Sequence, residues 1–270
     1  MNELLDIGDM AMNCRVEGTG RPVLLVHAYP VDHSIWRRQI ESLANDYRVI
    51  APDLIGFGAS GVPRDDSPRL MTQYADELAV LLDRLGVVEP VCYVGVSMAG
   101  YIGWEFARRH PQRLDRMLLA CTKAAADTPE FTAKREAAAL KVVAEGAEAI
   151  KGTPRSLLGL TTRNRRPELE RELRRIVLAT DPRGIAAAQR GMARRADARD
   201  WIGELTLPVQ IVAGKEDTFS PPGEMAEWAG LLPNARFDVI PDAGHLPMLE
   251  QPAAFMALLR DFLETPAASA

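Results

Sequence analysis

Ser97 stands where an apolar, β-branched run ends and a helical pattern begins, in Val91-Cys92-Tyr93-Val94-Gly95-Val96-Ser97-Met98-Ala99-Gly100. A serine hydroxyl is a weak nucleophile at neutral pH, so it needs a base within hydrogen-bond reach and a third group to orient that base. A sharp strand-to-helix turn would lift the hydroxyl clear of the backbone, and small neighbours would let strand and helix approach. The segment matches G-x-S-x-G except at Ala99, where a methyl is small enough for the turn to survive, with Gly100 adding slack beside it. The competing role for Ser97 is a plain helix N-cap. A match this short, taken alone, leaves the two roles about equal.

Possible partners shift that balance. Of the four histidines, His245 lies in Pro241-Asp242-Ala243-Gly244-His245-Leu246-Pro247, directly after the last strand-like run. His110 ends a helical stretch, where the helix dipole favours it. His33 reads as part of a surface turn, and His27 as a buried imidazole bonding nearby backbone. The orienting carboxylate is expected in a loop after another strand. Val212-Ala213-Gly214-Lys215-Glu216-Asp217 supplies Asp217, with Glu216 beside it and Asp127 as a more distant rival.

Three loops must then converge, and the rest of the chain is patterned to make them do so. Short apolar runs at Met10–Val16, Val23–Val26, Val49–Ala51, Val91–Val96, Met117–Ala120, Val209–Ala213 and Phe237–Ile240 read as strands, and amphipathic stretches separate them. That alternation specifies an α/β fold with a mostly parallel central sheet flanked by helices. Thr72 is expected to cap a helix reaching Leu85, and another helix spans Met98–His110. Between about Ala124 and Asp200 the alternation stops, and an Ala-, Arg- and Glu-rich block follows, divided by Pro154, Pro167 and Pro182 into roughly four short helices. The expected organisation is a core of residues 1–123 and 204–270 with an inserted helical cap at 124–203. Residues 265–270 read as a frayed tail.

With 270 residues, 47% of them hydrophobic and 26% charged, the chain has the composition of a folded globular protein and not of a disordered one. A net charge of −5 argues against a nucleic-acid partner, which needs a concentrated positive surface. Cys14, Cys92 and Cys121 form no C-x-x-C pair and no disulfide framework, no leader or membrane-spanning run is apparent, and a cytoplasmic location follows. Gly56-Phe57-Gly58-Ala59-Ser60-Gly61 spells a dinucleotide fingerprint, but Val62-Pro63 follows where a helix would have to open. No metal and no cofactor are expected, and oligomeric state is not specified.

The whole pattern resembles the α/β-hydrolases grouped around bacterial arylesterases and 3-oxoadipate enol-lactonases. The resemblance is carried by His27-Ala28-Tyr29-Pro30, by Asp53-Leu54-Ile55-Gly56-Phe57-Gly58-Ala59-Ser60, by the serine turn, by Gly214-Lys215-Glu216-Asp217, and by Gly244-His245 with Glu250-Gln251-Pro252. It covers nearly the whole chain outside the helical block. It implies a Ser97-His245-Asp217 triad working through an acyl-enzyme on small carboxylic esters, with the backbone N–H groups of Tyr29 and Met98 as the oxyanion hole. Ala28 replaces the glycine usual in the oxyanion loop. Leu157, Leu158, Leu160 and Met192 of the block are expected to shape the substrate pocket, whereas its arginines read mainly as a solvated face, with Arg163–Arg166 the candidates to meet an acidic substrate. A lactonase shares every catalytic part. A carbon–carbon hydrolase or lyase, and a non-catalytic ligand-binding relative, are the remaining alternatives.

Overall fold

The computed structural model describes residues 2–265. Eight strands form one sheet: β1 (Asn2–Asp6), β2 (Ala11–Glu17), β3 (Pro22–Val26), β4 (Arg48–Pro52), β5 (Val91–Val96), β6 (Leu114–Ala120), β7 (Val209–Gly214) and β8 (Ala235–Ile240). Their order is β1-β2-β4-β3-β5-β6-β7-β8, antiparallel for the two pairings of β2 and parallel from β4 onward. The expected fold class is therefore present. β1 escaped the sequence reading because Asn2–Asp6 is a polar-flanked edge strand whose residues are exposed at every second position. β5, in the middle, has all six residues buried, as a strand covered on both faces must.

Helices α1 (Arg37–Leu43), α2 (Met71–Arg84), α3 (Met98–Arg109), α9 (Pro222–Ala229), α10 (Pro247–Glu250) and α11 (Pro252–Glu264) accompany the sheet. α2 starts one residue before the expected cap: Thr72 lies inside it, and the Leu70 N–H is held by the Gln73 side chain. Two apolar layers result. One joins α2 and α3 to the sheet through Leu78, Leu82, Ile102 and Phe106, the other joins α1 and α11 through Ile40, Phe255 and Leu259. Each such buried side chain contributes about 1.5–3 kcal/mol.

Between β6 and β7 the chain contains only helices: α4 (Pro129–Glu145), α5 (Thr153–Leu157), α6 (Leu160–Arg165), α7 (Pro167–Ala179) and α8 (Pro182–Ala193), with short 3-10 turns. Five α-helices replace the expected four. Pro154, Pro167 and Pro182 each sit in a helix's first turn, where proline costs no hydrogen bond. Residues 266–270, which include most of the expected tail, lie outside the described residues.

The G-x-G-x-x-G segment forms a turn, not a phosphate loop. Asp53, 1% exposed, accepts from the backbone N–H groups of His33 and Ala59 and from the Asn13 amide, and it pairs with the His33 imidazole at 2.6 Å. His33 is thus no surface turn residue: it opens a 3-10 helix and is bound to a buried carboxylate. Burial pushes the Asp53 carboxyl up, but the bond and charge of His33 outweigh it and bring the pKa down to about 2. A carboxylate lowered from 3.8 stabilises the folded state above pH 4, and loses that contribution as the pH falls toward 2. Asp53→Asn is accordingly expected to cost about 2–3 kcal/mol near neutrality. In denaturant titrations the gap between wild type and variant should close on acidification, and a gap that persists to pH 2 would refute this account.

Candidate active site

Ser97 links β5 to α3 with φ 58° and ψ −116°, a conformation L-residues rarely adopt. Surrounding contacts impose it: the Ser97 N–H donates to the Ala120 carbonyl at 2.9 Å, while its own carbonyl accepts from the Gly100 N–H and the Thr122 hydroxyl at 2.8 Å each. A Cβ on Gly95 would lie 2.9 Å from the Ala99 carbonyl oxygen, and one on Gly100 would lie 2.2 Å from the Thr122 hydroxyl. The essential small residues are therefore 95 and 100, which is why Ala99 is accommodated. Gly100 is packed against Thr122 instead of providing slack.

The Ser97 Oγ is 2.8 Å from His245 Nε2, and His245 Nδ1 is 2.8 Å from the Asp217 carboxylate. The second Asp217 oxygen accepts from the N–H groups of Phe219 and Ser220. Asp217 and His245 are 5% and 4% exposed, so this chain of hydrogen bonds runs through a low-dielectric interior. A carboxylate at Nδ1 favours the tautomer with its proton there and leaves Nε2 as an acceptor facing the serine. The two rival carboxylates are engaged elsewhere. Glu216 accepts from the backbone and hydroxyl of Thr161, and Asp127 pairs with Arg135 and Arg195.

A carboxylate not singled out beforehand holds the histidine loop. Glu250, 2% exposed, accepts from the N–H groups of Gly244 and Leu246 through one oxygen, and from Gly159 through the other. The His245 N–H donates to the Leu157 carbonyl. Both flanks of His245 are thereby tied to the helical segment above. The Glu250-Gln251-Pro252 pattern marked the residue, but its partners lie 91 and 6 positions away along the chain.

His27 is fully buried, donating to the Ala28 carbonyl through Nδ1 while its Nε2 accepts from Leu54 N–H. Burial lowers its pKa and keeps it neutral. Ala28 has no positive φ, so its methyl brings no backbone strain. Among the described residues the N–H groups of Tyr29 and Met98 have no protein acceptor. Met98 opens α3, where the dipole favours an anion.

Ser97 and His245 open into a cavity of about 530 Å³ that also meets Tyr29, Tyr101, Phe219 and residues of α4, α5 and α8. Leu157 and Met192, two of the residues singled out in the helical block, line it. Leu158 and Leu160 do not: Leu158 packs in the α11 side of the core, and Leu160 is 58% exposed. The segment is pinned by backbone bonds at Leu157, Gly159 and Thr161, so successive residues point to cavity, core and solvent. Arg163–Arg166 are also absent from the cavity wall. Arg166 donates to the carbonyls of Leu249 and Glu250. The cavity arginines are Arg135 and Arg195. Phe131, Arg135 and Ala138 follow helical spacing, but spacing alone does not reveal which helix face meets a cavity.

Among the described residues two groupings bring ligand-type atoms within 4.8 Å of one another, Cys121-Asp217-His245 and Asp32-His33-Asp53. In each the carboxylate and imidazole already bond one another, and burial pushes the Cys121 thiol far above its usual pKa, away from the thiolate that metals prefer. No described helix is long and apolar enough to cross a membrane.

Residues 21–252 match the family described as the alpha/beta hydrolase fold. The chain is 30% identical to a pimeloyl-[acyl-carrier protein] methyl ester esterase of Chromobacterium violaceum over 95% of its length and 100% of the relative's. Its structure is similar to that of a thermophilic esterase from Thermogutta terrifontis with malate bound, at TM-score 0.91 and 39% identity over 94% of this chain and 93% of the other. It is also similar to an enol-lactonase from Burkholderia xenovorans LB400, at TM-score 0.89 and 25% identity over 97% and 100%.

A serine that opens into a cavity and is hydrogen-bonded to a histidine should react with an activated phosphonate. Peptide mass mapping of the treated native protein is expected to find the adduct on Ser97; a folded protein labelled elsewhere, or not at all, would remove Ser97 as the nucleophile.

Proposed function

The chain belongs to the α/β-hydrolase family, and from that premise we propose that it hydrolyses small carboxylic esters through an acyl-enzyme on Ser97. The reading rests on one observation above all: Ser97, His245 and Asp217 form an unbroken hydrogen-bonded series, with 2.8 Å contacts, at the wall of a cavity. His245 Nε2 takes the serine proton as Oγ bonds to the ester carbonyl carbon. The tetrahedral oxyanion lies against the N–H groups of Tyr29 and Met98, a stabilisation typically worth about 3–4 kcal/mol for one such donor. When the carbon–oxygen bond breaks, His245 returns the proton to the departing alcohol. Water, deprotonated by the same nitrogen, then releases the acid.

The helical segment 124–203 acts as a cap over this chamber, held to the histidine and acid loops through Glu250 and Glu216. Three free, buried cysteines suit a cytoplasmic setting. A lactone is the second reading, favoured by the likeness to an enol-lactonase, since ring opening needs the same groups and differs in pocket shape.

Replacing Asp217 by Asn removes the acceptor that fixes the His245 tautomer. kcat on p-nitrophenyl acetate is expected to fall by about 10³–10⁴-fold, as in other serine triads, with little change in folding. Near-wild-type kcat would overturn the assignment of the acid. A cavity of about 530 Å³ has room for short acyl chains, and methylenes raise binding only while the pocket can bury them. Acetate and butyrate p-nitrophenyl esters are expected to exceed the palmitate ester in kcat/KM. A preference for palmitate, or for lactones over every ester in a parallel panel, would displace the small-ester reading.

A further inference from the structure

The histidine loop and the helical segment meet backbone to backbone. A Cβ on Gly244 would lie 2.3 Å from the Gly159 nitrogen, and one on Gly159 would lie 2.8 Å from the Gly244 nitrogen, so no side chain separates the two stretches. Their N–H groups converge on one buried carboxylate. Glu250 accepts from Gly244 at 2.9 Å and from Leu246 at 3.1 Å through Oε1, and from Gly159 at 2.8 Å through Oε2. His245 stands between the first two donors, and its own N–H donates to the Leu157 carbonyl at 3.0 Å. Leu157 in turn lines the chamber. A further tie runs through the acid loop, where Glu216 accepts from the N–H and hydroxyl of Thr161 while its own N–H donates to the Ala243 carbonyl at 2.7 Å.

These bonds bear on the imidazole itself. To take a proton from Ser97, His245 must hold Nε2 at 2.8 Å from the hydroxyl while Nδ1 stays 2.8 Å from Asp217. Both distances depend on where the His245 backbone lies, and a displacement of about 1 Å at a reacting group costs about 100-fold in rate. If residues 157–161 lifted away, Gly159 would leave Glu250 and Leu157 would leave His245, and buried backbone groups would lose their partners.

We propose that Glu250 is a positioning residue for the catalytic base, and that residues 157–161 of the helical segment form part of the mount of His245, so that the base is competent only while this stretch stays docked. The inference rests on the reading of Ser97 as nucleophile and His245 as base. It gives the helical segment a part in proton transfer besides that of bounding the chamber.

Glu250→Gln isolates the device. The amide is nearly isosteric with the carboxylate but offers one acceptor atom where two are needed, so in either orientation its NH2 group opposes an N–H group, that of Gly159 or those of Gly244 and Leu246. In a time course of phosphonate labelling at Ser97, the rate constant reads the competence of the base and the final extent reads the folded fraction. Glu250→Gln is expected to lower the rate constant about 10- to 100-fold with labelling still running to completion, and to lower kcat on p-nitrophenyl acetate by a similar factor with KM changed less than about threefold. A double-mutant cycle separates positioning from general damage. Once His245→Ala has removed the base, adding Glu250→Gln should alter the residual labelling rate by less than about threefold. A wild-type rate constant in Glu250→Gln, or an equal slowing with and without His245, would overturn the positioning role. Should Glu250→Gln not be recovered folded, Glu250→Asp, which keeps the charge but is one methylene too short to span both backbones, is held to the same criteria. If Ser97 is not labelled in the wild type, the nucleophile falls and the inference with it. Labelling without turnover of any ester removes the ester substrate alone, and the positioning role then stands or falls on the labelling rate constants.

Discussion

The backbone at Ser97 cannot sit at φ 58° unless β6, the following helix and Thr122 hold it there. A strained residue persists only where its surroundings over-determine it, and here they do so from three directions. The Ser97 N–H is tied to β6, its carbonyl to Thr122, and the close approach of Gly95 and Gly100 leaves no space for the turn to relax. The turn thus fixes the hydroxyl at the carboxyl end of the central strand. Every other part of the chamber has to be brought to that point.

Carboxylates do much of this work. Asp53 gathers N–H groups from two loops beneath the Tyr29 segment, Glu250 gathers those on either side of His245, and Glu216 reaches Thr161 in the helical segment. A carboxylate accepting several backbone N–H groups satisfies donors that a folded loop would otherwise bury unpaired, and it stiffens that loop. Glu250 and Glu216 also join core loops to the segment between β6 and β7, so that the chamber roof and the histidine loop share hydrogen bonds. The proposed chemistry and the shape of the chamber are for that reason mechanically linked.

Charge is distributed unevenly in the chamber. Beside Ser97 lie neutral donors and the His245 imidazole with the Asp217 carboxylate behind it, whereas the wall formed by α4 and the end of α8 carries Arg135 and Arg195 paired with Asp127. The helical segment therefore contributes a polarity of its own as well as a boundary.

Much of this was written in local pattern. Apolar alternation gave the sheet and its helices, because a strand buried on both faces must read as a continuous apolar run; the turn at Ser97 was visible because a strand ending in Gly95-Val96-Ser97 and a helix opening at Met98 are adjacent in sequence. The positions of Asp217 and His245 after their strands were legible for the same reason. Side-chain destinations were not. Leu158 and Leu160 turned to core and solvent because backbone bonds to Glu250 and Glu216 set the rotation of their segment, and His33 was drawn inward by Asp53, twenty residues along the chain. Among many arginines, Arg135 and Arg195 reached the chamber because of how α4 and α8 pack. Local periodicity specifies that a residue lies on a helix face or in a loop, but which surface that face meets depends on contacts between segments distant in sequence, and only the tertiary structure supplies them.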